Sequence, residues 1–377
     1  MPGKRPFTEL YIHVPFCMGK CDYCAFYSEG KMEEKDLSLY LEKLFSQMEE
    51  YASSCGRLRT VYFGGGTPTL LPPEKMELLF RAIRENFLLE EDAEISMECN
   101  PETLTEEKCS VMKSFVNRAS MGVQSFSPLF RERIGRRTHE NGANRPFEEM
   151  LFEAVSLLKK HGIKNIGFDL IYLLPGETLS DWEKELKKAL SFGITHLSCY
   201  SLSIEEGTPL SKRCGEQDED LSADMWELAG TLLAENAFPR YEVSNYAREG
   251  FFCRHNDNIW KGASYLGLGP SGCSFDGRDR WVQTSPLSAF LAGKAPETDV
   301  ITEEKRLAEM FIMGLRRTKG WNRTDWEKVS GGKSYDALWE KIIAKNCTLG
   351  LLRKGKDTLS PTEKGLEYWN DLAESFL

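Results

Sequence analysis

The sequence lacks the features that mark membrane-spanning and nucleic-acid-binding proteins. No run of apolar residues approaches the ~18 that a membrane-spanning helix needs, so we expect no transmembrane segment. Basic residues are in deficit, with 48 Lys and Arg against 58 Asp and Glu, and the net charge of -10 disfavours a large phosphate-contacting face. We therefore expect no nucleic acid among the partners, although the net charge leaves a local basic pocket open.

The sequence also lacks a recognisable secretory signal. Its first residues, MPGKRPFTEL, lead directly into a strand-like segment without a long apolar stretch. This predicts a cytoplasmic protein, whose thiols stay reduced. The eleven cysteines, an odd number, are then not a disulfide framework and need another explanation.

The composition is that of an ordinary globular protein, and the length of 377 residues favours two or three compact units. Up to about residue 200, β-prone runs alternate with amphipathic helical patterns, which predicts parallel βα units. The predicted strands are residues 10–14, 60–63, 94–97, 118–123, 166–172 and 196–200. The predicted helices are residues 37–51, 76–87, 150–158, 182–190 and 223–236.

Six βα repeats predict an α/β fold with an open, partial (β/α)6 barrel of the TIM type and a smaller, mainly helical C-terminal domain. We expect a barrel core over residues 1–240, a connecting segment over 241–300 and the helix-rich domain over 301–377. Residues 241–275 are so rich in Gly and Asn that we expect neither simple helix nor strand there. Ligands of such sheets bind at the carboxyl ends of the strands, so the chemistry should lie there.

Three cysteines stand close together just after the first predicted strand. Cys17, Cys21 and Cys24 form C-x3-C-x2-C in HVPFCMGKCDYCAF. Clustered thiolates favour zinc or an iron–sulfur cluster, but structural zinc usually has four protein ligands, and no second CxxC or HxxxH pair is present. Three ligands on a four-iron cluster would leave one iron open to a substrate molecule. His13 is either a fourth ligand or a structural residue of its strand.

Polar and glycine residues follow several predicted strands. FGGGTPT at 63–69 exposes backbone groups to a ligand or simply makes a tight βα turn, and it lacks the GK[ST] ending of a phosphate loop. Glu98 and Asp169 could bind the two hydroxyls of a ribose or cap the helices that follow. Gln124 follows the fourth predicted strand. The planar guanidinium of Arg136 could bind a carboxylate, or Arg136 could be a solvated helix residue.

The cysteine motif, with Tyr23 before its last Cys, resembles the signature of the radical S-adenosylmethionine enzymes. Within that superfamily, the chain resembles the oxygen-independent coproporphyrinogen oxidase group, which includes haem chaperones. The segments that carry this resemblance span residues 11–247 and are YIHVPFCMGKCDYCAF, FGGGTPT, ECNP, MGVQSF, FDLIYLLPGET, HLSCYSLSIEEGTPL and YEVSNYA. EMFIMGLRRTKGW, in the helix-rich tail, is also similar to that group.

The resemblance implies cofactors and site residues. It implies a [4Fe-4S] cluster on Cys17, Cys21 and Cys24, whose open iron binds S-adenosyl-L-methionine for reductive cleavage to a 5'-deoxyadenosyl radical. It places the first S-adenosylmethionine against Tyr11, Tyr23, Gly65, Gly66, Thr67 and Glu98. Gln124, Arg136 and Asp169 match positions that contact a second S-adenosylmethionine in the decarboxylating oxidase.

Two features favour the haem chaperone branch of the group. Sixteen residues precede Cys17, whereas the oxidase carries a long N-terminal extension. CRHNDNIW at 253–260 resembles the HNxxYW motif of the chaperones, with Ile259 in place of the Tyr. His255 of this motif could ligate haem iron or donate a hydrogen bond to a backbone carbonyl.

The resemblance implies a haem chaperone that binds haem as cargo and delivers it to recipient haem proteins. The alternative is oxygen-independent coproporphyrinogen III oxidase, which decarboxylates its substrate to protoporphyrinogen IX, and a third option is another radical reaction on a tetrapyrrole. An oxidase needs cations for the substrate carboxylates, and the sequence leaves open whether Arg136, Arg137 and Arg254 converge. The implied partners are haem or a porphyrinogen, a recipient haem protein and an electron donor, and transient membrane association stays open.

Overall fold

The computed structural model describes residues 4–30, 33–136 and 145–377. Strands and helices alternate over the first 200 residues, as the hydrophobic pattern predicts. The strands are β1 Phe7–Val14, β2 Cys55–Gly65, β3 Leu89–Cys99, β4 Arg118–Gln124, β5 Asn165–Tyr172, β6 His196–Ser201, β7 Arg240–Glu242, β8 Asn245–Ala247, β9 Tyr265–Leu268, β10 Cys273–Phe275, β11 Arg280–Val282, β12 Glu297–Asp299, β13 Trp321–Asn322, β14 Leu352–Lys354 and β15 Thr358–Pro361.

Each of the five predicted helices overlaps an observed one, and two short helices in the barrel region, α3 and α4, were not predicted. The helices are α1 Glu34–Tyr51, α2 Pro73–Asn86, α3 Glu106–Met112, α4 Pro128–Arg133, α5 Phe147–Lys160, α6 Leu179–Ser191, α7 Glu219–Glu235, α8 Arg254–Trp260, α9 Leu287–Leu291, α10 Glu303–Gly314, α11 Arg323–Ser330, α12 Tyr335–Thr348, α13 Glu363–Glu367 and α14 Trp369–Glu374. None of the described helices is both long and apolar enough to span a membrane.

One large sheet organises the described part of the chain. Its order is β12-β11-β10-β9-β1-β2-β3-β4-β5-β6-β8-β7, and the run from β9 to β6 is parallel. The two end strands, β12 and β7, are not paired with each other, so the barrel is open. The predicted α/β fold with an open, partial barrel is confirmed.

Alternating side chains divide the sheet into an apolar outer face and a polar inner face. On β2, Val61 and Phe63 are fully buried in the main hydrophobic core. Thr60 and Tyr62, at the alternate positions, point to the other face, because successive strand residues face opposite sides. Leu44 of α1 belongs to the same apolar layer outside the sheet. The inner face is therefore free to carry polar groups.

Residues 241–300 extend the sheet at both of its edges. β8 pairs antiparallel with β6, and β9 pairs parallel with β1. The expectation of neither helix nor strand over 241–275 is therefore wrong. Gly267 explains why, because a Cβ there would lie 2.2 Å from the Cys273 carbonyl oxygen. Glycine permits the tight approach of β9 and β10 rather than interrupting them. The domain boundaries themselves stay a prediction.

The region from residue 303 onward is mainly helical, as predicted. It contains helices α10 to α14 and the three-stranded sheet β13-β15-β14. Its core is a second hydrophobic cluster in which Phe311 lies within 4.5–5.9 Å of the aromatic rings of Trp326, Tyr335, Trp339 and Phe376.

Candidate functional site

A cavity of about 570 Å³ opens at the carboxyl ends of the parallel strands. Its walls come from the cysteine loop, from strands β2 to β6, and from β8 and α8. The structure brings together on these walls the predicted residues Cys17, Cys21, Tyr23, Cys24, Gly65, Gly66, Thr67, Glu98, Gln124, Arg136 and Asp169. Tyr11 and His255 do not line the cavity.

The loop that carries the cysteines is held by backbone hydrogen bonds to three other segments. The Cys17 amide donates to the Glu29 carbonyl at 2.9 Å, and the Asp22 amide donates to the Ile134 carbonyl at 3.0 Å. The Leu210 amide in turn donates to the Asp22 carbonyl at 2.9 Å. These bonds fix the start of the loop to its own far end, to the end of α4 and to the chain after β6.

The three thiols are free and half-buried, and each has a polar neighbour. Cys17 Sγ lies 3.4 Å from Thr67 Oγ1, and Arg136 Nη1 lies 3.9 Å from Cys21 Sγ. Burial raises the pKa of Cys24, and the nearby Cys21 and Cys17 thiols raise it further. Within the described residues, no group of three His, Cys, Asp or Glu side chains converges on a point that could hold one metal ion. A four-iron cluster does not require such convergence, because its ligands bind different irons.

His13 has a structural role. Its Nε2 lies 3.0 Å from the Tyr27 carbonyl oxygen, and its Nδ1 lies 3.2 Å from the Tyr11 hydroxyl. Burial lowers its pKa, so the ring is neutral, donates from Nε2 and accepts at Nδ1. Both ring nitrogens are therefore occupied, which favours the structural interpretation of His13. The Tyr11 ring lies behind Gly64, where a Cβ would be 2.9 Å from it.

The glycine segment packs directly against the cysteine loop. The Gly66 amide donates to the Val14 carbonyl at 2.8 Å, and the Thr67 amide donates to the Phe16 carbonyl at 2.7 Å. A Cβ on Gly66 would lie 2.4 Å from the Phe16 oxygen, so only glycine fits. Gly65 has φ +109, a conformation that side-chain-bearing residues rarely adopt. The segment thus makes a tight turn and also exposes backbone to the cavity.

Two carboxylates lie inside the cavity. Glu98 accepts hydrogen bonds from the Tyr62 hydroxyl at 3.0 Å and the Gly65 amide at 3.2 Å. Burial, reinforced by the charge of Asp169, raises the pKa of Glu98 to about 7. Asp169 accepts from Ser120 Oγ at 3.2 Å, and burial raises its pKa as well. The turn after β3 is capped by Asn100 instead, which leaves Glu98 directed to the cavity.

Gln124 and Arg136 meet around Gly122. Gln124 has φ +67 and follows a register shift at the end of β4. Arg136 Nη2 donates to the Gly122 carbonyl at 2.7 Å. A Cβ on Gly122 would lie 3.0 Å from Gln124 Nε2 and 3.4 Å from Arg136 Nη2. Arg136 is therefore a cavity-wall residue rather than a solvated helix residue.

Further polar side chains of strands β3 and β4 form the floor of the cavity, and these were not predicted from the sequence. Arg118, which is 2% exposed, is near Ser96, with Nη1 3.5 Å from its hydroxyl. Burial lowers the pKa of Arg118, but nearby acidic groups, among them the Cys253 thiol and the Glu94 carboxylate, outweigh this effect and raise it overall. The signal was available, because polar residues recur at every second position of β3 and β4, where a buried parallel strand would otherwise be apolar.

His255 belongs to α8, beneath this floor. Glu94 accepts the backbone amides of Arg254 at 2.9 Å and His255 at 3.0 Å. His255 Nδ1 lies 2.6 Å from Thr60 Oγ1, which itself donates to Glu9 at 2.5 Å and therefore accepts from the ring. Burial lowers the pKa of His255 to about 3. The imidazole is 3% exposed, so haem ligation by His255 stays a prediction and requires the ring to leave these contacts.

Of the two candidate cations for substrate carboxylates that the structure describes, one lies at the cavity and the other does not. Arg136 lines it, whereas Arg254 does not and pairs with Asp92 at 3.0 Å on the surface. Arg137 lies outside the described residues.

Comparison with known proteins identifies the family. Residues 11–189 match the model of the Radical SAM superfamily. The chain is 32% identical to the haem chaperone HemW of Lactococcus lactis over 380 residues, which cover 98% of this chain and 97% of that protein. It is also 32% identical to HemW of Escherichia coli over 389 residues, which cover 99% of both chains. The chain belongs to the HemW family of the radical SAM superfamily.

A solved structure confirms the fold of this HemW-family chain. The protein superposes with a TM-score of 0.83 on coproporphyrinogen III oxidase HemN from Escherichia coli, described as a radical SAM enzyme. The match covers 99% of this chain and 90% of HemN at 20% identity, so it concerns the fold alone.

Membership of the HemW family brings a [4Fe-4S] cluster and S-adenosylmethionine as cofactors. The residues fit both, because three free thiols and a set of carboxylate, amide and backbone groups share one cavity. When bound, a cluster of this kind would supply an electron for reductive cleavage of S-adenosylmethionine. The chain itself supplies the thiol ligands, exposed glycine backbone and two carboxylates that can accept hydrogen bonds from hydroxyls.

Proposed function

We propose that this protein is a haem chaperone, which binds haem and delivers it to recipient haem proteins. The observation that carries the proposal is the similarity to HemW proteins along nearly the whole chain. The resemblance of residues 253–260 to the HNxxYW motif supports it. The recipient protein and an electron donor for the cluster are the partners that this function requires.

We further propose that the cavity residues have the roles that the family resemblance implies. Cys17, Cys21 and Cys24 hold the cluster, and the glycine segment with Glu98 holds S-adenosylmethionine. The location of all three thiols and Glu98 on one cavity wall supports this assignment. Free thiols at all eleven cysteines are compatible with a reducing cytoplasm, which we propose as the location.

The charge of the cavity supports the chaperone over the decarboxylating oxidase. A porphyrinogen with four carboxylates needs several cations at the site. Among the described residues that line the cavity, the cations are Lys20, Arg118 and Arg136. Arg118 is buried near Glu94, Glu98 and Asp169, whose negative charges it helps to balance, and Arg136 donates to the Gly122 carbonyl.

One experiment separates the two activities. The protein is reconstituted with iron and sulfide without oxygen, reduced, and incubated with S-adenosylmethionine and coproporphyrinogen III. In parallel it is titrated with haem, and the loaded protein is mixed with an apo haem protein. We expect submicromolar haem binding and haem transfer, without decarboxylation. Formation of protoporphyrinogen IX as the main activity would overturn the chaperone proposal.

A further inference from the structure

We propose that haem binds at the mouth of the cavity against the exposed ring of Phe26, with its carboxylates toward Lys20, and not within the barrel. This inference rests on the proposed haem chaperone function and specifies where the cargo lies. It rests on the exposure of Phe26, on the rigidity of its loop and on the distribution of charge between the mouth and the floor.

Phe26 is a large apolar side chain that the fold leaves in water. It is 72% exposed, and it lies on the cavity wall two residues after Cys24. Among the strongly exposed large hydrophobic residues of the described chain, Phe26 and Tyr200 are the two that line this cavity. Tyr200 is 41% exposed, and burial raises the pKa of its hydroxyl. The mouth therefore presents two aromatic rings.

The exposure of Phe26 follows from the loop that presents the cysteines. The Cys24 amide donates to the Cys21 carbonyl at 3.2 Å, which fixes the backbone just before Phe26. On the other side, the carbonyl of Tyr27 is bonded to His13 Nε2 at 3.0 Å. The backbone of Phe26 is therefore held on both sides, in a position that leaves its ring exposed. A bound ligand can cover the ring without any change of the loop.

The charges favour a flat ligand that carries its anionic groups at its edge. Lys20 is exposed on the same wall, and it has no carboxylate partner among the described residues. In the cavity interior, Glu98 and Asp169 lie alongside the buried Arg118 and the half-buried Arg136, so the exposed cation available to the carboxylates of a ligand is Lys20. A tetrapyrrole is apolar on both faces and anionic at one edge. It can stack on an aromatic ring and pair with one cation while staying outside the cavity interior.

The test compares haem affinities of the reconstituted full-length protein and its variants, measured by titration of the Soret absorbance. Phe26→Ser should raise the Kd for haem by about tenfold, because stacking area is lost. Phe152→Ser is the matched control, since Phe152 is 66% exposed on α5 and does not line the cavity. We expect haem affinity of the control to equal that of the unmodified protein, with the same iron content in all three.

Two further variants keep the proposal testable if Phe26→Ser loses its cluster. Phe26→Leu keeps an apolar side chain but no ring, and it should weaken haem binding by a few-fold. Lys20→Gln should weaken binding of haem but not of haem dimethyl ester, which lacks the carboxylates. Wild-type haem affinity in both variants would overturn the proposal.

Three other outcomes would also overturn it. If Phe26→Ser binds haem as tightly as the unmodified protein, haem lies elsewhere, although the chaperone function stands. If Phe152→Ser weakens binding equally, the haem is adsorbed nonspecifically. If Phe26→Ser leaves haem affinity unchanged but slows transfer to an apo haem protein, the ring contacts the recipient protein instead. Absence of haem binding by the unmodified protein would refute the chaperone function itself.

Discussion

The contact between Gly66 and the cysteine loop leads to a sharp prediction. In Gly66→Ala, the new Cβ would lie 2.4 Å from the Phe16 carbonyl oxygen and 2.8 Å from its carbonyl carbon. These are backbone atoms, so a side-chain rotation cannot relieve the clash. Phe16 precedes Cys17, and the substitution must therefore push the first cluster ligand away from the glycine segment.

The structure bounds the size of the effect. Separating the two segments weakens the bonds from Gly66 to Val14 and from Thr67 to Phe16, which are 2.8 and 2.7 Å long. Each such bond contributes about 0.5–1.5 kcal/mol, and overpacking costs about 1–3 kcal/mol. We therefore expect the free energy of unfolding to fall by about 2–5 kcal/mol. Gly66 is not among the glycines with positive φ, so this loss comes from space and not from backbone strain.

The assay combines urea unfolding with iron content after anaerobic reconstitution. Gly66→Ala should lower the urea midpoint and the iron bound per chain. Gly215→Ala is the control, because a Cβ there meets nothing within 4 Å. If Gly66→Ala matches the control in both measurements, the two segments are not packed as described and the reasoning is refuted.

Three more predictions concern the cavity. Burial raises the pKa of Glu98 from 4.5 to about 7. Between these two pH values, Glu98 is protonated in the folded state and ionised in the unfolded state. The free energy of unfolding should therefore fall as the pH rises through this window. Glu98→Gln should reduce this pH-dependent loss of stability by about 3 kcal/mol. The test compares the urea midpoints of the unmodified protein and the variant at pH 5 and about pH 8. An equal change of midpoint in both proteins would contradict the prediction. Arg118→Met should lower the free energy of unfolding by about 3–5 kcal/mol, because it removes the positive charge near the buried Glu94. Adding Glu94→Gln should recover part of this loss, and thermal unfolding of the single and double variants measures both effects. Cys21→Ala should abolish iron binding and visible absorbance whereas Cys55→Ala should not; unchanged iron content in Cys21→Ala would refute the ligand assignment.

Much of the site could be predicted because parallel strands end at one edge of a sheet. Glu98, Gln124 and Asp169 come from three neighbouring strands, so their meeting follows from strand order alone. The inward positions of the same strands, such as Arg118, could have been found from the polar alternation. In the sequence, Phe26 is simply one residue of the cysteine motif. Its exposure could not be predicted, because exposure depends on how the loop folds.

The contacts of His255 could not be predicted from the local sequence pattern. The motif at 253–260 points to a haem ligand, but the imidazole lies beside Thr60, 195 residues earlier in the chain. A contact of that kind depends on where β9 joins the sheet, and β9 pairs with β1 through a segment whose glycines predict neither helix nor strand. The position of Arg254 on the surface, away from Arg136, has the same origin.

The sequence by itself determined the βα order, the parallel sheet and the spacing of three thiols, because these depend on local periodicity and on residue type. Only the tertiary structure decided which side chains line one cavity, which cations remain unpaired and which aromatic ring stays in water. Those properties arise from packing between segments distant in the chain, where burial and partner geometry set the charge and exposure of each group.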